Sequence, residues 1–176
     1  LMAGNPRHPA VMTFKTGVKK DGSITARQAH LVYDSGGYAA FKPARGVTYG
    51  SRCLGPYKIP HGHIDSDVVY TNQVPCGSMR APGDPQSIFA AEAQMDLIAR
   101  ELGMDPVAFR QKNLVQDGDA SPLGYYWKNI MGIKTLDAAV AESEYNQAKP
   151  QSPGKLTGRG VALCERHVGA GSSTVK

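Results

Sequence analysis

The 176-residue chain contains one tryptophan, three cysteines and only 7% aromatic residues, and each scarcity removes a class of function. Cys53, Cys76 and Cys164 are odd in number and show no CxxC spacing. That argues against a zinc ribbon, a thioredoxin-type pair and an iron–sulfur ligand run, and leaves reduced thiols in a cytosolic setting as the simplest reading. His61 and His63 stand two apart and His167 far from both, which is no zinc-ligand pattern, so they read as surface or loop residues. Apolar runs break within a few residues and no basic-then-apolar leader is legible, so no membrane span is expected; a leader lost ahead of Leu1 would leave a periplasmic setting open. Twenty Lys+Arg against fifteen Asp+Glu give a net charge of +5, but the basic residues are scattered and no aromatic platform accompanies them. This is not the footprint of a nucleic-acid surface. No internal repeat is visible.

What the chain has instead is glycine and proline, concentrated where one arginine meets a helix start. In TNQVPCGSMRAPGDPQ, Thr71 to Gln86, residues Pro75, Gly77, Pro82, Gly83 and Pro85 crowd both sides of Arg80. Such residues impose unusual backbone torsions and leave amides near the surface free for a ligand. Asp84 followed by Pro85 reads as an N-cap with proline at the first helical position, which directs the positive end of a helix dipole toward the loop. An anion or a metal-oxo group would be favoured there.

With 41% hydrophobic and 20% charged residues, the chain suits a single domain with a core. Ala10 to Lys19 and Ser23 to Tyr33 show partial alternation around the turn Lys20-Asp21-Gly22 and predict a hairpin. A Gly/Pro-interrupted connection from Ser35 to His63 leads to a short strand, Ile64 to Tyr70. Ile88, Ala91, Met95, Ile98 and Leu102 line one face of a helix from about Pro85 to Leu102, which Gly103 stops. Asp105-Pro106 repeats the start signal for a helix reaching Asn113, and Thr135 caps a third helix to Glu144. Residues 145–158 form an internal surface loop, Pro/Gly/Ser-rich from Lys149 to Gly158, before a last strand from Gly160 to Arg166. Strands, then helices, then a strand predict an α+β fold in two layers, with a mixed or antiparallel sheet packed against two or three helices.

Several segments taken in order also carry a resemblance. They are KTG at Lys15, DSGGYA at Asp34, YKIP at Tyr57, TN-x-x-P at Thr71, MRAPGDPQ at Met79, AEAQMD at Ala91, ELGMDPVAFRQKNL at Glu101 and GRGVAL at Gly158. The ordered set resembles the molybdenum-binding large subunit of the xanthine dehydrogenase and aldehyde oxidase family, the molybdenum hydroxylases, over nearly the whole chain. Members of that family are several times longer, so the resemblance implies that residues 1–176 are one domain-sized internal fragment of a larger molybdenum-cofactor-binding subunit. The family's downstream cofactor loop and catalytic glutamate segment are missing, and the fragment alone is expected to bind no molybdenum and to be inactive.

The resemblance implies molybdopterin as the cofactor, with [2Fe-2S] clusters and FAD on partner domains or subunits. It implies hydroxylation of aldehydes or N-heterocycles with oxygen from water. Met79, Arg80, Ala81 and Gly83 become cofactor-binding candidates acting mainly through main-chain amides. Arg80 is alternatively a structural arginine that bonds loop carbonyls, and both roles can hold together. Ala81 stands where the copper-containing carbon monoxide dehydrogenases carry a copper-binding cysteine, which argues against that branch. Pro82 stands where purine-oxidising members carry a stacking phenylalanine, which puts purine specificity in doubt. Arg45, in KPARG, falls near a substrate-binding arginine of xanthine-oxidising members, with a solvent-facing loop arginine as the alternative. Expected partners are the remainder of the molybdenum subunit, the iron–sulfur and flavin units and a small-molecule substrate. Two other readings stay open: a non-catalytic scaffolding or assembly domain with the same fold, and an anion-binding module that uses the helix start at Asp84-Pro85 for phosphate.

Overall fold

The computed structural model describes residues 6–38, 50–77, 79–148 and 153–165. Three strands, β1 (Ala10–Val18), β2 (Ile24–Gly36) and β3 (His61–Tyr70), form one sheet in the order β1-β2-β3. β1 and β2 are antiparallel, whereas β3 runs parallel to β2 with Ala26 opposite His61 and Val32 opposite Asp67. The sheet is therefore mixed, and among the described residues it is accompanied by three helices, α1 (Asp84–Glu101), α2 (Pro106–Asn113) and α3 (Gly132–Glu142), plus a 3₁₀ turn at Gly50–Leu54. This is the expected α+β class.

Period-2 alternation sorts the sheet into two faces. Met12, Phe14, Ala29, Leu31, Tyr33, Ile64 and Val68 pack inward with Cys53. Lys15, Gln28, His30, His63, Asp65 and Asp67 face out. A second cluster joins Met95 and Ala99 of α1 to Val107 and Phe109 of α2, and to Ile24, Leu54, Tyr57, Ile59, Leu114 and Leu136. The apolar stripe expected on α1 lies here: Ala91 and Met95 are buried, and Ile98 and Leu102 pack against the cluster. Buried Arg27 joins the two clusters, donating to Cys53 O (2.8 Å), Thr16 Oγ1 (3.1 Å) and Met95 Sδ (3.3 Å).

Several element limits differ from expectation for identifiable reasons. β3 begins at His61 rather than Ile64 because the parallel register with β2 recruits polar residues at its exposed end. The helix capped at Thr135 actually starts at Gly132, with Met131 in the cap position and no side-chain cap bond. Residues 160–165 form no strand: the Leu163 amide donates instead to the Glu92 carboxylate at 2.8 Å, so the segment is pinned to a helix side chain rather than to a sheet. Asp105, by contrast, caps α2 as predicted, accepting from the amides of Val107 and Ala108 at 2.9 Å each.

Candidate functional site

The site is assembled at the C-terminal end of β2. Asp34 Oδ1 accepts from the Gly36 amide and from Thr71 Oγ1, both at 2.7 Å. Gly36 has φ 74, and a Cβ there would approach Val74 O to 2.4 Å, so only glycine lets the loop cross the strand end so closely. Backbone bonds from Gly37 to Gln73 O, Thr71 to Gly36 O and Cys76 to Ser35 O then fasten residues 71–76 in place. Asp34-Ser35-Gly36-Gly37 and the Thr71–Cys76 segment, read separately in the sequence, are one hydrogen-bonded unit.

The next stretch, Met79 to Gly83, turns sharply. Ala81 sits at φ 56 and Gly83 at φ 80. A left-handed alanine costs about 1–2 kcal/mol, so its neighbours must hold it there. They do: Ala81 O accepts from the Asp84 amide (3.2 Å) and from Arg7 Nη1 (3.3 Å), while Arg7 Nη2 donates to Arg80 O (3.1 Å). Among the described residues, the amides of Met79, Arg80, Ala81 and Gly83 donate to no protein acceptor. Among the described residues the loop thus has the Arg80 and Ala81 carbonyls engaged and its amides without a protein acceptor, a polarity suited to an acceptor-rich ligand.

The start of α1 differs from the sequence reading. Gly83, not Asp84, occupies the cap position, and no side chain caps the helix. Gly83 O accepts from the Ser87 amide (3.1 Å) and Ser87 Oγ (2.8 Å), and Ser87 Oγ pairs in turn with Tyr33 Oη at 2.9 Å. Asp84 stands in the first turn, its Oδ1 3.8 Å from Arg52 Nε, while Arg52 Nη1 bonds to Glu165. The cap assignment fails because the helix begins one residue earlier than expected: Gly83 holds the cap position and Asp84 is already the first helical residue. An aspartate beside the helix terminus also occupies the favourable end of the dipole with the chain's own negative charge, which weighs against the phosphate-binding reading.

Among the described residues, four buried side-chain polar atoms lack a hydrogen-bond partner, and three of them surround this loop: His8 Nε2, Arg52 Nε and Gln86 Oε1. Such atoms are rare in folded proteins and concentrate where a ligand or a further segment completes the bonding. Burial pushes the His8 imidazole down from its ordinary value, against the opposing pull of Asp34.

The sequence-predicted residues Met79, Arg80, Ala81, Pro82 and Gly83 are contiguous, running from exposed Met79 (46%) to buried Gly83. Arg45, His167 and residues 149–152 of the expected surface loop lie outside the described residues. Arg80 is exposed, and its guanidinium braces no carbonyl among the described residues; Arg7 performs that work. Sequence reading missed Arg7, His8, Asp34, Thr71 and Gln86. Asp34, Thr71 and Gln86 lie in the segments that carry the resemblance, and for Arg7 and His8 the local sign is their enclosure by Pro6 and Pro9. Cys76 is buried just before the loop and Cys53 packs in the sheet cluster; burial raises both thiols, Cys53 to about 11, so neither is a ready nucleophile. No group of three His, Cys, Asp or Glu able to hold a metal ion occurs among the described residues.

A second polar centre lies further along α1, around Glu92. Glu92 accepts from Tyr57 Oη (2.6 Å), Arg110 Nε (2.9 Å) and the Leu163 amide (2.8 Å), and Arg110 also reaches Asp96 Oδ1 at 2.7 Å. Burial, followed by the Glu92 charge, pushes the Tyr57 phenol upward and keeps it a donor. Every member has a partner, which marks a structural centre rather than a chemical one.

Comparison with known proteins gives the class to which this fold belongs. Residues 1–114 match the family described as molybdopterin cofactor-binding domain, and the chain belongs to that family. It is 40% identical over 134 residues to the nicotinate dehydrogenase large molybdopterin subunit of Eubacterium barkeri, covering 76% of this chain and 32% of that protein. It is 31% identical over 172 residues to a probable xanthine dehydrogenase subunit of Bacillus subtilis, covering 97% of this chain and 23% of that one. The structure of aldehyde oxidoreductase from Desulfovibrio gigas superposes with a TM-score of 0.70 at 32% identity, over 79% of this chain and 15% of that chain. The chain therefore spans a third or less of the length of these relatives.

Proposed function

We propose that this chain forms one wall of the molybdopterin site in an oxidoreductase that hydroxylates aldehydes or N-heterocycles with oxygen from water. The observation that carries the proposal is the Met79–Gly83 loop, whose carbonyls of Arg80 and Ala81 are tied back to Arg7 while its amides remain available. That arrangement fits a ligand rich in oxygen and sulfur acceptors, and the unpartnered atoms of His8 and Gln86 beside it fit a site completed by a further group. Bound molybdopterin supplies the redox-active metal at which the substrate carbon is oxidised. This chain's residues contribute position: Met79, Arg80, Ala81 and Gly83 present main-chain donors, preorganised so that they need not reorient as negative charge develops.

Pro82 lies within the same loop and offers no aromatic face, which favours a substrate held otherwise than by stacking. Relatives named for nicotinate and for aldehydes support the two substrate classes. Arg45 completes the proposed substrate contacts on the strength of the family resemblance alone. The [2Fe-2S] and FAD centres on partner domains or subunits would take up the electrons, and the remaining molybdenum subunit would supply the catalytic base and the other walls. Among the described residues no helix is long and apolar enough to cross a membrane, and three unpaired thiols support a cytoplasmic location.

The test is molybdenum and pterin analysis of the complete polypeptide carrying this chain, followed by a screen of aldehydes and N-heterocycles. Near-stoichiometric metal and pterin with turnover of one class is the expected result. A complete polypeptide free of both would sink the reading and leave a scaffolding domain. The 176-residue chain by itself is expected to retain neither molybdenum nor pterin, because the other walls are missing.

A further inference from the structure

Four consecutive residues, Pro6-Arg7-His8-Pro9, each fasten a different part of the site. Pro6 O accepts from the Gly77 amide at 3.1 Å, and Arg7 donates to Arg80 O and Ala81 O. His8 O accepts from Gln86 Nε2 at 2.8 Å, and Pro9 O accepts from the Asp34 amide at 2.9 Å. The strap thus ties the end of β2 to a sequence-distant continuous stretch made of the Thr71–Gly77 loop, the Met79–Gly83 loop and the first turn of α1. Prolines at both ends restrict its own torsions.

We infer that Arg7 is a positioning residue for the cofactor-facing loop, one that aims the Ala81 amide. In a trans peptide the N–H points opposite to the C=O of the same plane. With Arg80 O drawn to Arg7 Nη2, the Ala81 N–H is turned to the other side of the loop, away from the strap. The second carbonyl, Ala81 O, is held by Arg7 Nη1 and the Asp84 amide together, and the following residue, Pro82, contributes no N–H. The two arms of one planar guanidinium therefore set the two peptide planes flanking Ala81 and hold that residue at its positive φ of 56. A lysine ammonium is a point donor and cannot reproduce the fork. The consequence is a specific directed donor at Ala81, produced by a residue that lies far upstream in the sequence and itself need not touch the ligand.

This inference rests on the proposed molybdopterin site. Its test uses the complete polypeptide carrying the chain, as wild type, Arg7→Ala and Arg7→Lys. Three quantities are read: pterin retained per polypeptide, hydrogen exchange of the amides in residues 79–83, and melting temperature. In both variants pterin retention should fall by about tenfold, roughly the factor one charge-assisted hydrogen bond is worth. Exchange should quicken in residues 79–83 and not in β1, β2 or α2. Millimolar guanidinium should restore retention to Arg7→Ala but not to Arg7→Lys, whose own side chain fills the space. Wild-type protein without pterin would remove the molybdopterin reading itself, whatever Arg7 does. Wild-type protein with pterin, alongside variants unchanged in retention and loop exchange, would overturn the role of Arg7 alone. Uniformly faster exchange with a large fall in melting temperature would equally overturn it, by making Arg7 an ordinary structural residue.

Discussion

The two polar centres along α1 solve the same problem in opposite ways. Around Glu92 and Arg110, charges are buried and every donor and acceptor meets a partner: Tyr57, Asp96, Pro106 O and the Leu163 amide close the network. Around Ala81 the backbone is held away from its preferred torsions, and buried atoms of His8, Arg52 and Gln86 have no partner among the described residues. A satisfied network resists change, whereas an unsatisfied one leaves polar atoms for a further group or water to complete. The two centres sit at different points along one helix, the loop at its start and the Glu92 network further along it.

The largest expected effect falls on the satisfied side. Arg110→Ala leaves the Glu92 carboxylate buried without its countercharge, and loss of one member of such a pair costs about 3–5 kcal/mol. Denaturant titration should show this loss while hydrogen exchange in residues 79–83 stays unchanged relative to global unfolding. A loss under about 1 kcal/mol would place the pair among surface-like ion pairs and blur the contrast.

Gly36→Ala should strike the other side. The added Cβ meets Val74 O, and alanine at φ 74 is strained whatever the space, so a cost of about 1–3 kcal/mol is expected, concentrated in the Thr71–Gly83 loops. If exchange there matches wild type, the loop does not depend on the close crossing at the end of β2.

The two aspartates at helix starts sharpen the comparison further. Asp105→Ala removes two bonds to amides of α2 and should cost about 0.5–2 kcal/mol, insensitive to salt. Asp84→Ala removes only a charge near the dipole and near Arg52, worth about 0.3–1 kcal/mol and diminishing at high salt. Equal, salt-independent losses would restore Asp84 as a true cap.

The smallest effect concerns acid. Burial lowers the folded-state value of His8 below the ordinary 6.5, so as pH falls through 6.5 the unfolded chain takes up a proton that the folded chain refuses. Its contribution is therefore full above 6.5 and declines with acidification toward the folded value. His8→Gln should flatten this part of the stability profile between wild-type and variant titrations. An unchanged slope between about pH 6.5 and 5 would mean that the imidazole titrates freely and is no part of the buried loop support.

Local signals were readable wherever a few neighbouring residues decide the outcome. The turn at Asp21-Gly22, the stripe through Ala91 and Met95, and the start at Asp105-Pro106 all depend on torsional preference and period, and all occur where expected. Asp84-Pro85 presents the same pair of residues as Asp105-Pro106 and yet has a different role. The distinction lies in the preceding Ala81 turn and in Arg7, neither of which a local pattern contains. Gly160 to Arg166 had the composition of a strand, but a strand also needs an edge to pair with, and the carboxylate of Glu92 took the Leu163 amide instead. Glu92 itself was detectable, as an acid in the buried stripe between Ile88 and Met95, where an unpaired charge would be too costly to keep.

Which segments bend, which turn into helices and which loop is dense enough in glycine and proline to shape a site could all be read from residue order, because those properties arise from torsions within a few residues. The family could be read there too, since the order of its motifs survives without knowledge of their contacts. The folded chain alone reveals that β3 lies parallel to β2, that Arg7 rather than Arg80 supports the loop carbonyls, and that Asp34 and Thr71 meet. Each of these depends on hydrogen bonds between residues distant in sequence, whose partners are chosen by packing rather than by any local preference.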